Sequence, residues 1–328
     1  MKTVLAADLG GTKLAMAVVS AGGKIVAEQA EPVDLSLPRA PLNQLVRMAA
    51  MLTGGSLGAP DAVFRSKGEL GWAPGARCQA LGVAVPGLVR RSGTVWAPNL
   101  PGWRTMPLAR ELQRKLKLPV VVESDRNAAI LGEAWQGAAK GRSDAIALIV
   151  GTGIGAGILS GGRLLRGAHE LSGCAGWLVL GEQTTGRSFR CGWLERRAAG
   201  PAIAGEAARL YRARYPSKSA RPRHRGLTAL EVAEAARSGD RAARQVFARV
   251  GGLLGLAVAN LISLFDPEVV VVGGGLAGAR DLFFPALERT ARGHCQPLAE
   301  RRVKICTSQL GARANLLGAA RLALTEIE

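Results

Sequence analysis

Three glycine turns, each following an apolar run, carry the residue types that phosphate chemistry uses. Asp8-Leu9-Gly10-Gly11-Thr12-Lys13 sets a carboxylate, two glycines, a hydroxyl and an ammonium side by side. Glycines let main-chain N–H groups approach phosphate oxygens, Thr12 adds a hydroxyl donor, and Asp8 can hold a magnesium ion through water. Gly151-Thr152-Gly153 repeats the glycine and hydroxyl pairing. Gly273-Gly274, followed by Gly275, ends an all-valine run and leaves room for a flat ring against the backbone. Any one of these segments serves equally well as a plain structural turn. Three of them at strand ends point to a nucleotide site, with magnesium held at Asp8.

The elements that must position these turns are legible from periodicity. Strands are expected at 3–7, 15–19 and 25–29, joined by the Gly10-Gly11 turn and by Ala21-Gly22-Gly23. This is a β-meander. A Rossmann or P-loop protein would follow its glycine turn with a helix, and here β-branched and apolar residues follow instead. Strand, glycine turn and strand recur at 144–150, 151–155 and 156–159, so the chain reads as two similar α/β lobes with a cleft between them. Further strands are expected at 81–85, 120–123, 269–272 and 303–306, and helices at 42–52, 107–116, 228–238, 240–265 and 312–325. The stretch 54–75 is loop-like.

Composition bounds the rest. A chain of 328 residues that is 48% hydrophobic buries a large core and suggests two domains. Its apolar runs are broken well before the roughly 20 residues of a membrane span, and the amino terminus has no secretory pattern, so a soluble, cytoplasmic protein without a membrane partner is expected. Five cysteines without a CxxC pair suit reduced thiols. Of the net charge of +18, half lies between Arg196 and Arg249, where 13 Lys/Arg face 4 Asp/Glu. The densest part, 212–225, reads either as a solvated basic loop or as a surface for nucleic acid or polyphosphate.

Taken together, DLGGTK, GVAVPG, APNLPGW, ESDRNAAILGE, GTGIGAG, LERRAAGPAIA, DPEVVVVGGG and LGARANLLGAA resemble the ROK family of bacterial sugar kinases and related repressors. The resemblance implies a two-lobed actin-like ATPase (ribonuclease H-like) fold of mixed sheets flanked by helices. It places an N-terminal lobe at 1–122, completed by a C-terminal helix at 311–328, and a C-terminal lobe at 123–310. It also implies an ATP-dependent, glucokinase-like enzyme. Asp125 falls on the family's catalytic aspartate, which orients the attacking sugar hydroxyl and takes its proton. Asn99 falls on a contact to sugar hydroxyls, and Glu195 on a contact near the anomeric end.

The chain also departs from the family pattern. Ser124 stands where an Asn assists the catalytic Asp. Cys174 and Trp177 stand where a Glu and a His hold the sugar. Three cysteine positions of the family's zinc motif carry Gly186, Ser188 and Trp193, with Cys191 between them, so no zinc is expected; a displaced site built on His169, Cys174 and Cys191 is the alternative. The substituted pocket leaves three readings open: a hexose kinase, a kinase of a non-standard sugar such as an amino sugar, and a nucleotide-binding sensor without turnover. Only seven residues precede Asp8, which leaves no winged-helix module, so a nucleic-acid partner is not expected. The family also makes a homodimer possible.

Overall fold

The computed structural model describes residues 2–54, 78–181, 191–214 and 226–328. It divides into two compact units, Met1–Gly141 with Arg166–Ser172 and Ala312–Glu328, and Arg142–Leu165 with Gly173–Gly311. The first unit therefore runs past residue 122, where the sequence suggested a division, and takes in the helix that begins at Asp125.

In the first unit the strands are β1 (Thr3–Leu9), β2 (Lys13–Ser20), β3 (Ile25–Pro32), β4 (Cys78–Val85), the short pair β5 (Leu88–Val89) and β6 (Val95–Trp96), and β7 (Val120–Ser124). Its helices are α1 (Ala40–Thr53), α2 (Leu108–Leu116) and α3 (Asp125–Gln136). The main sheet has the order β3-β2-β1-β4-β7. The meander strands pair antiparallel, and β4 and β7 add in parallel.

The second unit holds β8 (Ala145–Val150), β9 (Ile154–Ser160), β10 (Arg163–Leu164), α4 (Glu195–Ala198), α5 (Gly200–Arg214), α6 (Ala229–Arg237) and α7 (Arg241–Phe265). It continues with β11 (Val269–Gly273), α8 (Arg280–His294), α9 (Pro297–Glu300) and β12 (Lys304–Thr307). Its sheet order is β10-β9-β8-β11-β12, which is the first sheet's order repeated strand for strand. The duplication read from two glycine turns is thus a duplication of topology. Helices α5 and α8 had no counterpart in the sequence reading. The basic stretch is split: 212–214 closes α5, and 215–225 lies outside the described residues, as do 55–75 of the expected loop.

Both faces of the first sheet are covered, which decides the environment of its acid. Side chains alternate along a strand. Leu5, Ala7 and Leu9 enter a core with Leu42, Leu45 and Trp103. Asp8 lies on the other face, toward α10 (Ala314–Glu326). That helix packs against α3 and β4 at backbone contact. A Cβ on Gly318 would stand 1.7 Å from the Ala128 carbonyl oxygen, one on Gly132 2.2 Å from that of Ala314, and one on Gly82 1.8 Å from that of Ala319. In the second unit α7 is long and apolar, and its buried stripe, including Val250, Leu254 and Val258, forms core with Phe283 and Leu287 of α8.

Gly318→Ala should therefore lower unfolding free energy by about 2–4 kcal/mol, since an added methyl meets backbone that cannot step aside. Gly205, exposed in α5 with open space around its Cβ position, gives the opposite sign: Gly205→Ala should stabilise by about 0.5–1 kcal/mol. Urea denaturation of both variants checks the pair.

Candidate functional site

In the first unit, β1 and β2 are joined by a turn closed from Gly10 N–H to the Lys13 carbonyl at 2.9 Å. That donor is taken up inside the turn, which leaves exposed Gly11, Thr12 and Lys13 at its tip. Asp8 precedes the turn. Its Oδ1 accepts from Asn315 Nδ2 at 3.2 Å, a partner brought in by α10. Burial pushes the Asp8 carboxyl up to about 7; the Asn315 bond opposes the shift, the charge of Asp125 adds to it, and Lys13 opposes it.

Asp125 opens α3. Its carboxyl is also raised, by burial above all, against the Arg126 N–H donating to Oδ1 at 2.8 Å and the Arg126 charge. The residue before it, Ser124, is buried, and its Oγ has no hydrogen-bond partner. Glu123 holds the strand-to-helix junction together. Its Oε1 accepts from Ser124 N–H at 2.8 Å and Asn127 Nδ2 at 3.0 Å, and its Oε2 pairs with Arg166 at 2.8 Å.

Asn99 is exposed on a loop whose turns are Leu100 N–H to Ala97 carbonyl, 2.9 Å, and Ala97 N–H to Trp103 carbonyl, 2.7 Å. Trp103 anchors that loop. It is fully buried, and its Nε1–H donates to the Pro38 carbonyl at 2.7 Å.

In the second unit the turn between β8 and β9 is one residue shorter but likewise closed by its leading glycine, with Gly151 N–H donating to the Gly153 carbonyl at 2.9 Å. Thr152 and Gly153 are exposed. Glu195, at the start of α4, lies under this turn: its Oε2 accepts from Ile154 N–H at 2.9 Å. Gly273 ends β11 in register with Ile149, and Gly274 makes the turn at φ 88°, a conformation glycine favours. Beyond it Gly275 lines a cavity of about 550 Å³ with Gly151, Thr152, Pro201, Leu227 and Leu230. Arg237 on the cavity wall is held in place by Asp281 at 2.7 Å and by the Gly278 carbonyl at 2.7 Å. The walls from α5 and α6 carried no sequence signal, since single apolar residues on helices mark no ligand.

Cys174 is half-buried ahead of a short helical turn, Ala175–Trp177, and Trp177 is 53% exposed. Trp193 is buried with the Arg197 guanidinium 4.0 Å above its ring, and its Nε1 has no partner. A Trp offers no metal ligand, and among the described residues no group of three His, Cys, Asp or Glu side chains could hold a metal ion. Gly186 and Ser188 lie outside the described residues.

The model of the ROK family matches residues 62–326. The chain is 31% identical over 329 residues to a glucokinase of Thermotoga maritima, covering 97% of this chain and 96% of that protein. It is 33% identical over 254 residues to a xylose repressor of Caldicellulosiruptor bescii, covering 75% of this chain and 63% of that protein. Among solved structures, a ROK family glucokinase from Streptomyces griseus, in complex with glucose and AMPPNP, matches with a TM-score of 0.77 at 28% identity. That match covers 98% of this chain and 99% of the other.

The charge on Asp8 gives a testable pH dependence. Its folded value of about 7 exceeds the 3.8 of an unperturbed carboxyl, so the folded state binds this proton more tightly than the unfolded one. The resulting stabilisation is full below about pH 4 and is lost as pH rises through about 7. Without divalent cations, the melting temperature of wild type should fall relative to Asp8→Asn between about pH 5 and pH 8, by the equivalent of roughly 2–4 kcal/mol. Parallel melting profiles for the two proteins would contradict this.

Proposed function

The chain belongs to the ROK family, and from that premise we propose that it is an ATP-dependent sugar kinase. In this reading it transfers the γ-phosphoryl group to a hexose hydroxyl, in the first place the 6-hydroxyl of glucose. One observation carries the reading: a carboxylate at Asp125, set at a helix start and desolvated until it holds a proton more tightly than usual, in a chain that aligns end to end with a glucokinase.

Phosphoryl transfer goes through a loose transition state, so the protein's work is positioning and charge neutralisation. Asp125 orients the attacking hydroxyl and accepts its proton as the oxygen–phosphorus bond forms. Its raised proton affinity suits that step. Asp8 would hold magnesium through water: Asn315 occupies only Oδ1, and a cation relieves the repulsion between Asp8 and Asp125 that raises the Asp8 carboxyl. When bound, the ion supplies positive charge to the phosphate oxygens. Gly11, Thr12 and Lys13 are exposed at the turn of the first unit, and Thr152 and Gly153 at the turn of the second, and each turn would offer its donors to phosphate oxygens. The cavity at Gly275 receives the nucleoside, with Gly273 and Gly274 shaping the turn that leads into it.

On the acceptor side Asn99 supplies a group that donates and accepts at once, which suits neighbouring sugar hydroxyls. Glu195 keeps Oε1 for the sugar while Oε2 braces the glycine turn. A half-exposed Trp177 offers a ring face in place of the family's hydrogen bonds, while the unpartnered Ser124 hydroxyl is enclosed by protein and would reach a sugar oxygen only if the end of β7 shifts.

In a coupled assay of ADP release with ATP and glucose, Asp125→Asn should lower kcat by about 10²–10⁴-fold while nucleotide affinity stays within a factor of a few. Turnover equal to wild type would remove Asp125 from the mechanism. Gly275→Val should raise the nucleotide Kd about tenfold or more by narrowing the cavity, with little change in melting temperature because its Cβ position is open. Calorimetric titration with ATP reads that change. If nucleotide and sugar both bind and no sugar of a panel yields ADP, the sensor reading replaces the kinase.

A further inference from the structure

The loop 166–172 closes on itself and is fastened to the helix that Asp125 begins. Ser172 N–H donates to the Arg166 carbonyl at 3.1 Å, and Glu170 adopts φ 60°, an uncommon backbone state for a residue with a side chain. Arg166 pairs with buried Glu123 at 2.8 Å, and the Glu170 carboxylate pairs with Arg91 at 3.2 Å. Arg126 supplies the remaining ties. Its Nε–H donates to the Ser172 carbonyl and its Nη2–H to the Glu170 carbonyl, each at 3.2 Å.

Arg126 is only 9% exposed. A guanidinium so far from water must return its N–H groups to protein acceptors, and here those acceptors are main-chain carbonyls of one loop. The same residue's main-chain N–H donates to Asp125 Oδ1 at 2.8 Å. Arg126 thus holds the acidic group with its backbone and the loop with its side chain. The planar fork of arginine suits two carbonyls at once; a lysine in its place would reach one.

We propose that Arg126 is a positioning residue for the acceptor: it clamps the 166–172 loop at the first turn of α3, so that a sugar hydroxyl meets Asp125 in a fixed register. This rests on reading Asp125 as the base toward the acceptor. The loop it clamps runs directly into Gly173 and Cys174, the latter standing where the family places a sugar contact, and neither the glycine turns nor the cavity at Gly275 includes a residue that the Arg126 side chain holds.

The test uses the full chain with ATP and glucose. Arg126→Ala should raise the glucose KM about tenfold or more while kcat stays within roughly threefold and the ATP Kd is unchanged, and Arg126→Lys should recover part of the loss. Cleavage after Glu170 by a glutamate-specific protease, followed by mass spectrometry, should accelerate about tenfold in Arg126→Ala at a closely similar melting temperature. An unchanged glucose KM overturns the acceptor role, and so does a parallel rise in the ATP Kd. Unchanged cleavage overturns the clamp. Failure of the kinase reading is distinct: Asp125→Asn then turns over like wild type, or no sugar supports turnover, and the cleavage rate with calorimetric glucose binding still decides the role of Arg126.

Discussion

The first unit turns on the backbone contact between α3 and α10. Gly132 and Gly318 let each helix touch the other's carbonyl groups, and Gly82 lets α10 lie on β4 in the same way. Two consequences follow from that approach. The start of α10 brings Asn315 to Asp8, and the covered sheet face leaves that acid only partly exposed and poorly hydrated. Because α3 is seated by the same contact, Asp125 lies near enough to Asp8 for the two carboxyls to repel. Acidic groups are stable in such surroundings only with partners or with raised proton affinity, and this unit uses both. The second unit repeats the device between α7 and α8, where a Cβ on Gly251 would stand 2.4 Å from the Phe283 carbonyl oxygen and one on Gly255 2.5 Å from that of Leu287.

Repetition extends to the turns. In each sheet the first hairpin spends its leading glycine N–H on closing itself, at Gly10 and at Gly151, and leaves the following hydroxyl residue exposed. A motif read as a row of equivalent phosphate donors is therefore divided: the leading glycine makes the turn, and the later positions face outward. Glu195 shows a similar division, with one carboxylate oxygen given to the turn beneath it.

The strands were legible because β-branched and apolar residues run in short blocks between glycine and proline. The matching sheet orders were legible only as a hint, since two glycine turns do not fix how later strands add. Helix α8 escaped notice because its buried positions, Phe283, Leu287 and Ala291, are diluted by Arg, Thr and an internal Pro285. Of the proposed site, Asp8 and the glycine positions follow from residue types at strand ends, and Asp125 from the family resemblance. Asn315 and Arg126 do not. Asn315 meets Asp8 across 307 positions of sequence, and the arginine bonds to main-chain carbonyls, which leave no side-chain signature.

Within each unit, charged groups of the proposed site are held by the scaffold before any ligand arrives. Such preorganisation is what transfer of a phosphoryl group through a loose transition state requires. Phosphorus NMR of the purified protein with magnesium, ATP and glucose tests this most directly. The account predicts a phosphate-ester resonance of a sugar 6-phosphate growing in step with ADP. ADP accumulating with inorganic phosphate and no ester, or a spectrum of unchanged ATP despite measurable binding of both ligands, would contradict it.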